Sequence, residues 1–258
     1  MAVDGVIRSL EPTGLVYFTD TYTFDIKSEV ICVVEEDDRV AVVLRETVFY
    51  AQGGGQPSDV GTMEVEGGPT FAVEDVRSKG GVVYHYGKFG AGMAQFPERT
   101  EVRLQVDKER RLLHARLHSA GHLLDSCMAV AGYGPAKLQP TKGYHFPNAP
   151  YVEYTGKVDK EEHELLIGRL NGEAARMIAA GLLVTAEELS YDAAAAACGG
   201  ALPDYIPKYC APRIVTIGAD LGCPCGGTHV SDVSEIRSMK VTGIRSKKNV
   251  TRISYVIE

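Results

Sequence analysis

The chain has 258 residues, 45% hydrophobic and 24% charged, the profile of a globular protein with room for one large domain or two modest ones. Its net charge of −7 argues against a surface coated all over by nucleic acid but leaves a local basic patch open. No apolar run approaches the roughly 20 residues that span a bilayer, and MAVDGVIRSLEPTG at the N-terminus has neither a basic nor an apolar signal region, so the expected location is cytoplasmic.

The first part, to about residue 98, reads as β throughout. EVICVVEE, RVAVVLRETVFY, GTMEVE, TFAVEDV and GVVYHYG are short, rich in Val, Tyr and Phe, and punctuated by Gly and Asp at the spacing of a barrel or sandwich. GAGMAQFPERT (90–100) breaks both periodicities and reads as a linker. The rhythm then changes. EVRLQV alternates as a strand, and Asp107 is a good N-cap for a helix to about Gly132. A second long helix is expected from Asp159, with Glu162 completing a capping box, to about Gly181. LLVTAEEL and PRIVTIG read as strands around a short Ala-rich helix at 190–198, and the tail reads as a hairpin. Helices and strands mix without a regular βαβ alternation, so the expected class is α+β.

Six cysteines (Cys32, Cys127, Cys198, Cys210, Cys223, Cys225) are too few and too scattered for a disulfide framework in a chain of this length. Close-spaced Cys with a nearby His suggests a metal instead. HSAGH (118–122) places His118 and His122 one turn apart on one helix face, the geometry with which two imidazoles grip one ion. His114 is rotated about 80° from His122 by the 3.6-residue period, which makes it a helix-face or supporting residue. Cys127 falls on the opposite face and reads as core. In CPCGGTHV, Cys225 and His229 flank a Gly-Gly-Thr turn that can fold both donors onto one ion. Three imidazoles and a thiolate favour tetrahedral Zn²⁺, one ion per chain, with Cys223 a competing donor. The zinc-protease word needs Glu after its first His; here Ser119 stands there, which argues against a metalloprotease.

Together, HSAGHLL and CGGTHV resemble the editing domain of alanyl-tRNA synthetase and its free-standing AlaX-type relatives, to which the editing domain of threonyl-tRNA synthetase is related. TVFYAQGGGQPSDVG (47–61) is similar to the glycine-rich motif of the β-domain that precedes it, with Ala51 where many relatives have Pro. The resemblance covers nearly the whole chain. It implies a glycine-rich-motif β-barrel domain at 1–95, then a two-layer α/β editing domain with an antiparallel sheet at 99–258. The long C-terminal extension of the largest members is not expected.

The implied activity is hydrolysis of mischarged tRNA(Ala), chiefly Ser-tRNA(Ala) and also Gly-tRNA(Ala), with His118, His122, Cys225 and His229 on zinc. A four-ligand site leaves two routes to catalysis: one ligand, His229 first among them, is loose or exchanges, or the metal expands its shell when substrate binds. Gln139 falls where the family places a polar pocket residue, and Gln139 or Thr141 could hydrogen-bond a seryl hydroxyl that alanine lacks. For the tRNA acceptor stem, Arg237, Lys240, Arg245, Lys247, Lys248 and Arg252 form a basic run with no acid in 237–252. Lys108, Arg110, Arg111 and Arg116 add to it, and Gly54, Gly55 and Gln56 of the glycine-rich word are candidate backbone-close RNA contacts. A non-catalytic, zinc-stabilised tRNA-binding module is the competing reading. A ligase is disfavoured, because both halves are assigned without an ATP-binding domain.

Overall fold

A computed structural model describes residues 10–36 and 38–258; residues 1–9, part of the stretch read for a targeting signal and of the expected β half, lie outside the described residues. The chain forms two compact units, Met1–Gly53 with Pro57–Arg111, and Gly54–Gln56 with Leu112–Glu258. The architecture is α+β.

In the first unit, β2 (Asp25–Glu36), β3 (Arg39–Leu44), β5 (Gly61–Glu64), β6 (Thr70–Lys79), β7 (Val82–Phe89) and β8 (Glu101–Val106) close into a barrel in the order β2-β3-β7-β6-β5-β8. Every pairing is antiparallel. A separate two-residue parallel pair joins β1 (Gly14–Leu15) to β4 (Glu46–Thr47). The Val- and Phe-rich strands alternate, so Val30, Val42, Leu44, Met63, Phe71, Val83 and Leu104 fill one core. Cys32, Ala41, Val43, Val82, Tyr84 and Tyr86 form a second cluster from the opposite faces. Bulges between Val30 and Cys32 and between Val73 and Asp75 bend the long strands that the barrel needs to close. Strand β8 follows the Gly- and Pro-broken tract and closes the barrel by pairing with both β2 and β5.

Arg111 belongs to this unit's interior. It is completely buried and donates to Asp59 Oδ2 (2.8 Å), the Thr21 carbonyl (3.0 Å) and the Val48 carbonyl (2.5 Å). This corrects its assignment to a basic RNA-facing helix. A guanidinium with its partner in the core is a packing element, and breaking such a pair costs about 3–5 kcal/mol.

The second unit packs two helices on one face of the antiparallel sheet β14-β15-β10-β9, which comprises β9 (Gln139–Tyr144), β10 (Tyr151–Thr155), β14 (Met239–Lys247) and β15 (Val250–Ile257). Helix α1 (Lys108–Met128) is capped by Asp107, whose Oδ1 accepts from the Arg110 N–H at 3.0 Å. It passes into a π-turn, Ala129–Tyr133, where Gly132 has φ 82°. Helix α2 (His163–Ala180) ends before Gly181, at φ 65°. The expected Asp159 capping box is not formed: a 3₁₀ turn (Lys160–Glu162) precedes α2, and Glu162 accepts from the Tyr133 hydroxyl at 2.7 Å instead. Leu123, Leu124, Leu166, Leu170, Tyr154, Val241, Ile253 and Tyr255 share the core between helices and sheet.

A smaller sheet, β11 (Val184–Glu188), β12 (Arg213–Ile217) and β13 (Cys223–Pro224), delivers the segment that follows β13. The short helix α3 (Tyr191–Ala197) is capped by Ser190. No helix among the described residues is long and apolar enough to cross a membrane.

Candidate metal centre

Helix α1 carries His118 and His122 one turn apart, their rings stacked with centroids 5.2 Å apart. The CGGTH segment is brought to them by specific anchors. Arg213 on β12 donates from Nη1 to the carbonyls of Cys225 (2.8 Å) and Gly227 (3.1 Å), and its own carbonyl accepts from the Cys225 N–H (3.0 Å). The Val230 N–H donates to Ser119 Oγ at 3.1 Å. The position that is Glu in a zinc protease therefore holds a fully buried serine that ties the second word to the helix of the first.

The result is a group of four donors, His118, His122, Cys225 and His229, whose ligand atoms all lie within 4.8 Å of one another. Cys225 Sγ is 3.4 Å from His118 Nε2 and 3.6 Å from His229 Nε2. Zn–S and Zn–N bonds of about 2.3 and 2.05 Å at tetrahedral angles put sulfur and nitrogen about 3.6 Å apart. The cluster thus has the dimensions of a zinc site. His122 Nε2 is buried and has no hydrogen-bond partner among the described residues, an orphan that ligation would satisfy.

Electrostatics favour the same reading. Burial pushes His122 down to about 4, with the Arg213 charge adding to it, and burial drives His118 and His229 well below the usual imidazole range. All three are therefore neutral at pH 7, the form that ligates. Burial raises the Cys225 thiol to about 11, opposed by the Gly227 N–H and by Arg213. A cation is what would hold that sulfur as thiolate.

The other sequence candidates fall elsewhere. Cys223 lies in β13 outside the four-donor group, and burial pushes its thiol up. His114 is buried and also outside the group, while Cys127 is core, 4.0 Å from Met177 Sδ. Gln139 opens β9 and is exposed; Thr141, also exposed, donates to the Glu153 carbonyl at 3.1 Å. Among the described residues neither side chain hydrogen-bonds a member of the cluster.

Arg237, Lys240, Arg245, Lys247, Lys248 and Arg252 are all exposed. A bulge between Val241 and Gly243 shifts the alternation of β14, so that Lys240, Arg245 and Lys247 share one face of this edge strand. Arg252, opposite Arg245, is tied to Glu153 (2.6 Å) and lies over the Tyr151 ring. Arg116 is turned inward, donating to the carbonyls of Glu235 (3.0 Å) and Ile236 (2.8 Å). Gly54 is exposed, and the Gly55 carbonyl accepts from the His145 N–H at 2.8 Å. The Gln56 side chain is completely buried, and its amide faces His118 and Thr228.

Sequence reasoning also missed His145. Its ring stacks on His118 with centroids 4.4 Å apart, and a Cβ at Gly121 would stand 2.3 Å from its Cε1, which accounts for the glycine in HSAGH. Tyr255 donates its only hydroxyl proton to the Leu117 carbonyl (2.8 Å), so it accepts from His145 Nδ1–H (2.7 Å). His145 Nε2 is left with its lone pair.

Residues 16–110 match the family described as tRNA synthetases class II (A), and residues 213–254 match the threonyl and alanyl tRNA synthetase second additional domain. The chain is 33% identical to the alanyl-tRNA editing protein AlaX-L of Pyrococcus horikoshii, over 93% of its own length and 57% of that protein's. It is 32% identical to an alanine–tRNA ligase of Streptomyces avermitilis over 86% of the chain, and 30% identical to that of Halobacterium salinarum over 98%. It spans 24% and 27% of those ligases.

Proposed function

This chain belongs to the sequence family shared by AlaX-type editing proteins and alanine–tRNA ligases, and from that premise we propose that it is a zinc-dependent deacylase acting in trans on mischarged tRNA(Ala). Ser-tRNA(Ala) is the chief substrate and Gly-tRNA(Ala) the second. The observation that carries the reading is the convergence of His118, His122, Cys225 and His229 from two distant words on one point. Zinc, when bound, would supply Lewis acidity and positive charge beside the aminoacyl ester.

The chain's own residues do the rest. Arg213 and the Gly227 N–H hold Cys225 in place, the latter donating to its sulfur at 3.4 Å. Gln139 and Thr141, exposed on β9, offer the hydrogen-bonding groups that distinguish a seryl hydroxyl from the methyl of alanine. Lys240, Arg245 and Lys247 line one face of an edge strand, with Arg237 and Lys248 near its ends, a row able to follow acceptor-stem phosphates in a cytoplasmic protein of net negative charge.

A closed four-donor set favours one other reading, since structural zinc takes four protein ligands and catalytic zinc commonly three. That reading is a zinc-stabilised tRNA-binding module without turnover. The test is metal removal. Stripping zinc with a chelator should abolish hydrolysis of Ser-tRNA(Ala) and re-addition should restore it. Undiminished hydrolysis after complete loss of metal would overturn the zinc dependence. Binding of tRNA(Ala) without hydrolysis by the zinc-loaded protein would select the module.

A further inference from the structure

The Gln56 amide makes three hydrogen bonds. Oε1 accepts from His118 Nδ1–H (2.8 Å) and from the Thr228 backbone N–H (3.0 Å), and Nε2 donates to Thr228 Oγ1 (2.8 Å). These bonds fix the chemistry. A backbone N–H only donates, so the group facing Thr228 N must be the amide oxygen. That oxygen only accepts, so His118 must carry its proton on Nδ1. The lone pair is thereby placed on Nε2, the atom 3.4 Å from Cys225 Sγ. The Gly-Gly-Thr turn is shaped for the same contact: a Cβ on Gly227 would stand 2.2 Å from His118 Cε1 and 3.0 Å from Gln56 Oε1.

We propose that Gln56 is the positioning residue of the metal centre: it selects the tautomer and fixes the ring of His118 while clamping the Cys225–His229 turn through Thr228. The glycine-rich word is then part of the metal site rather than an RNA contact. This rests on the metal reading above. Histidine ligands depend on such partners for orientation and basicity, and loss of one weakens metal binding about 10- to 100-fold.

The test compares Gln56→Met, which removes the acceptor at similar size, with Gln56→Glu, which keeps it. Zinc affinity of the full-length protein is read by chelator competition, and the metal-free proteins are compared by thermal unfolding. Gln56→Met should bind zinc about 10- to 100-fold more weakly, and Gln56→Glu should stay close to wild type, since a carboxylate also accepts from His118 Nδ1–H. Equal zinc affinity in wild type and Gln56→Met would overturn the positioning role while leaving the metal site intact. Equal losses in both variants would overturn it in favour of a packing role. A wild type that takes up no zinc would overturn the metal reading and this inference with it. Should Gln56→Met not fold, Thr228→Val removes one anchor of the same amide; it should weaken zinc in the same direction by less, and an unchanged affinity would overturn the proposal.

Discussion

Replacing Gly227 by alanine perturbs the centre without replacing a donor. The added methyl would stand 2.2 Å from His118 Cε1 and 2.3 Å from His118 Nδ1, where carbon contacts settle at about 3.5 Å or more. Ring or turn must retreat by about 1.3 Å, against a tolerance of about 0.2 Å in a metal–ligand distance. Neither can do so freely. Gln56 holds the ring, and Arg213, Ser119 and Gln56 hold the turn. Structural zinc sites bind with about 12 kcal/mol, so losing one donor of four removes about 3 kcal/mol, about two orders of magnitude in affinity. Overpacking should also cost the metal-free protein about 1–3 kcal/mol. Zinc affinity by chelator competition is the assay, with Gly172→Ala on α2, where a Cβ meets nothing within 4 Å, as the control. A folded Gly227→Ala protein with wild-type zinc affinity would refute the packing argument.

Three other outcomes follow from particular residues. His85, fully buried between the Val42 carbonyl (2.8 Å) and Thr47 Oγ1 (2.7 Å), is pushed by burial from 6.5 to about 4. The folded value lies below the unfolded one, so the barrel is at full stability above pH 6.5 and loses up to about 3 kcal/mol as pH falls toward 4; denaturant titrations should show this slope flattened in His85→Gln, and an equal slope would contradict it. Reversing Lys247 and Lys248 to Glu should lower the slope of log affinity for tRNA against log salt by about 0.9 per lost phosphate contact. Hydrolysis of a minimal aminoacyl ester should hardly change, and equal loss on both substrates would make the hairpin a fold element. Gln139→Ala should cost Ser-tRNA(Ala) about 1–3 kcal/mol more than Gly-tRNA(Ala) in kcat/KM, with zinc content unaltered; equal losses would point to a general role.

What was legible in the sequence was local in origin. Histidines one turn apart share a helix face whatever the tertiary structure, and Asp107 and the Val-rich alternations act through their own backbones. What escaped was set by distant partners. Gln56 reads as part of a Gly-rich turn lying close to RNA until His118, 62 positions away, supplies its partner. Arg111 reads as one charge in a basic helix, yet its carboxylate lies 52 positions back at Asp59. Asp159 and Glu162 have capping-box spacing, but Tyr133 takes the Glu162 carboxylate and a 3₁₀ turn replaces the first turn of α2. His145 carried no spacing signal at all, because it meets the His118 ring from the segment after β9 rather than along the same helix. A Gly- and Pro-rich tract suggested a boundary before EVRLQV, but β8 pairs on both sides within the barrel, and pairing partners are invisible to a local reading.

The most direct measurement is multiple-turnover deacylation of purified Ser-tRNA(Ala) and Ala-tRNA(Ala) by protein carrying a measured amount of zinc. Zinc should be near-stoichiometric, with many turnovers on the seryl ester per chain, sparing of the alanyl ester, and loss of both metal and turnover in Cys225→Ala. Stoichiometric zinc without turnover, or turnover that survives in a zinc-free Cys225→Ala protein, would contradict zinc-dependent deacylation.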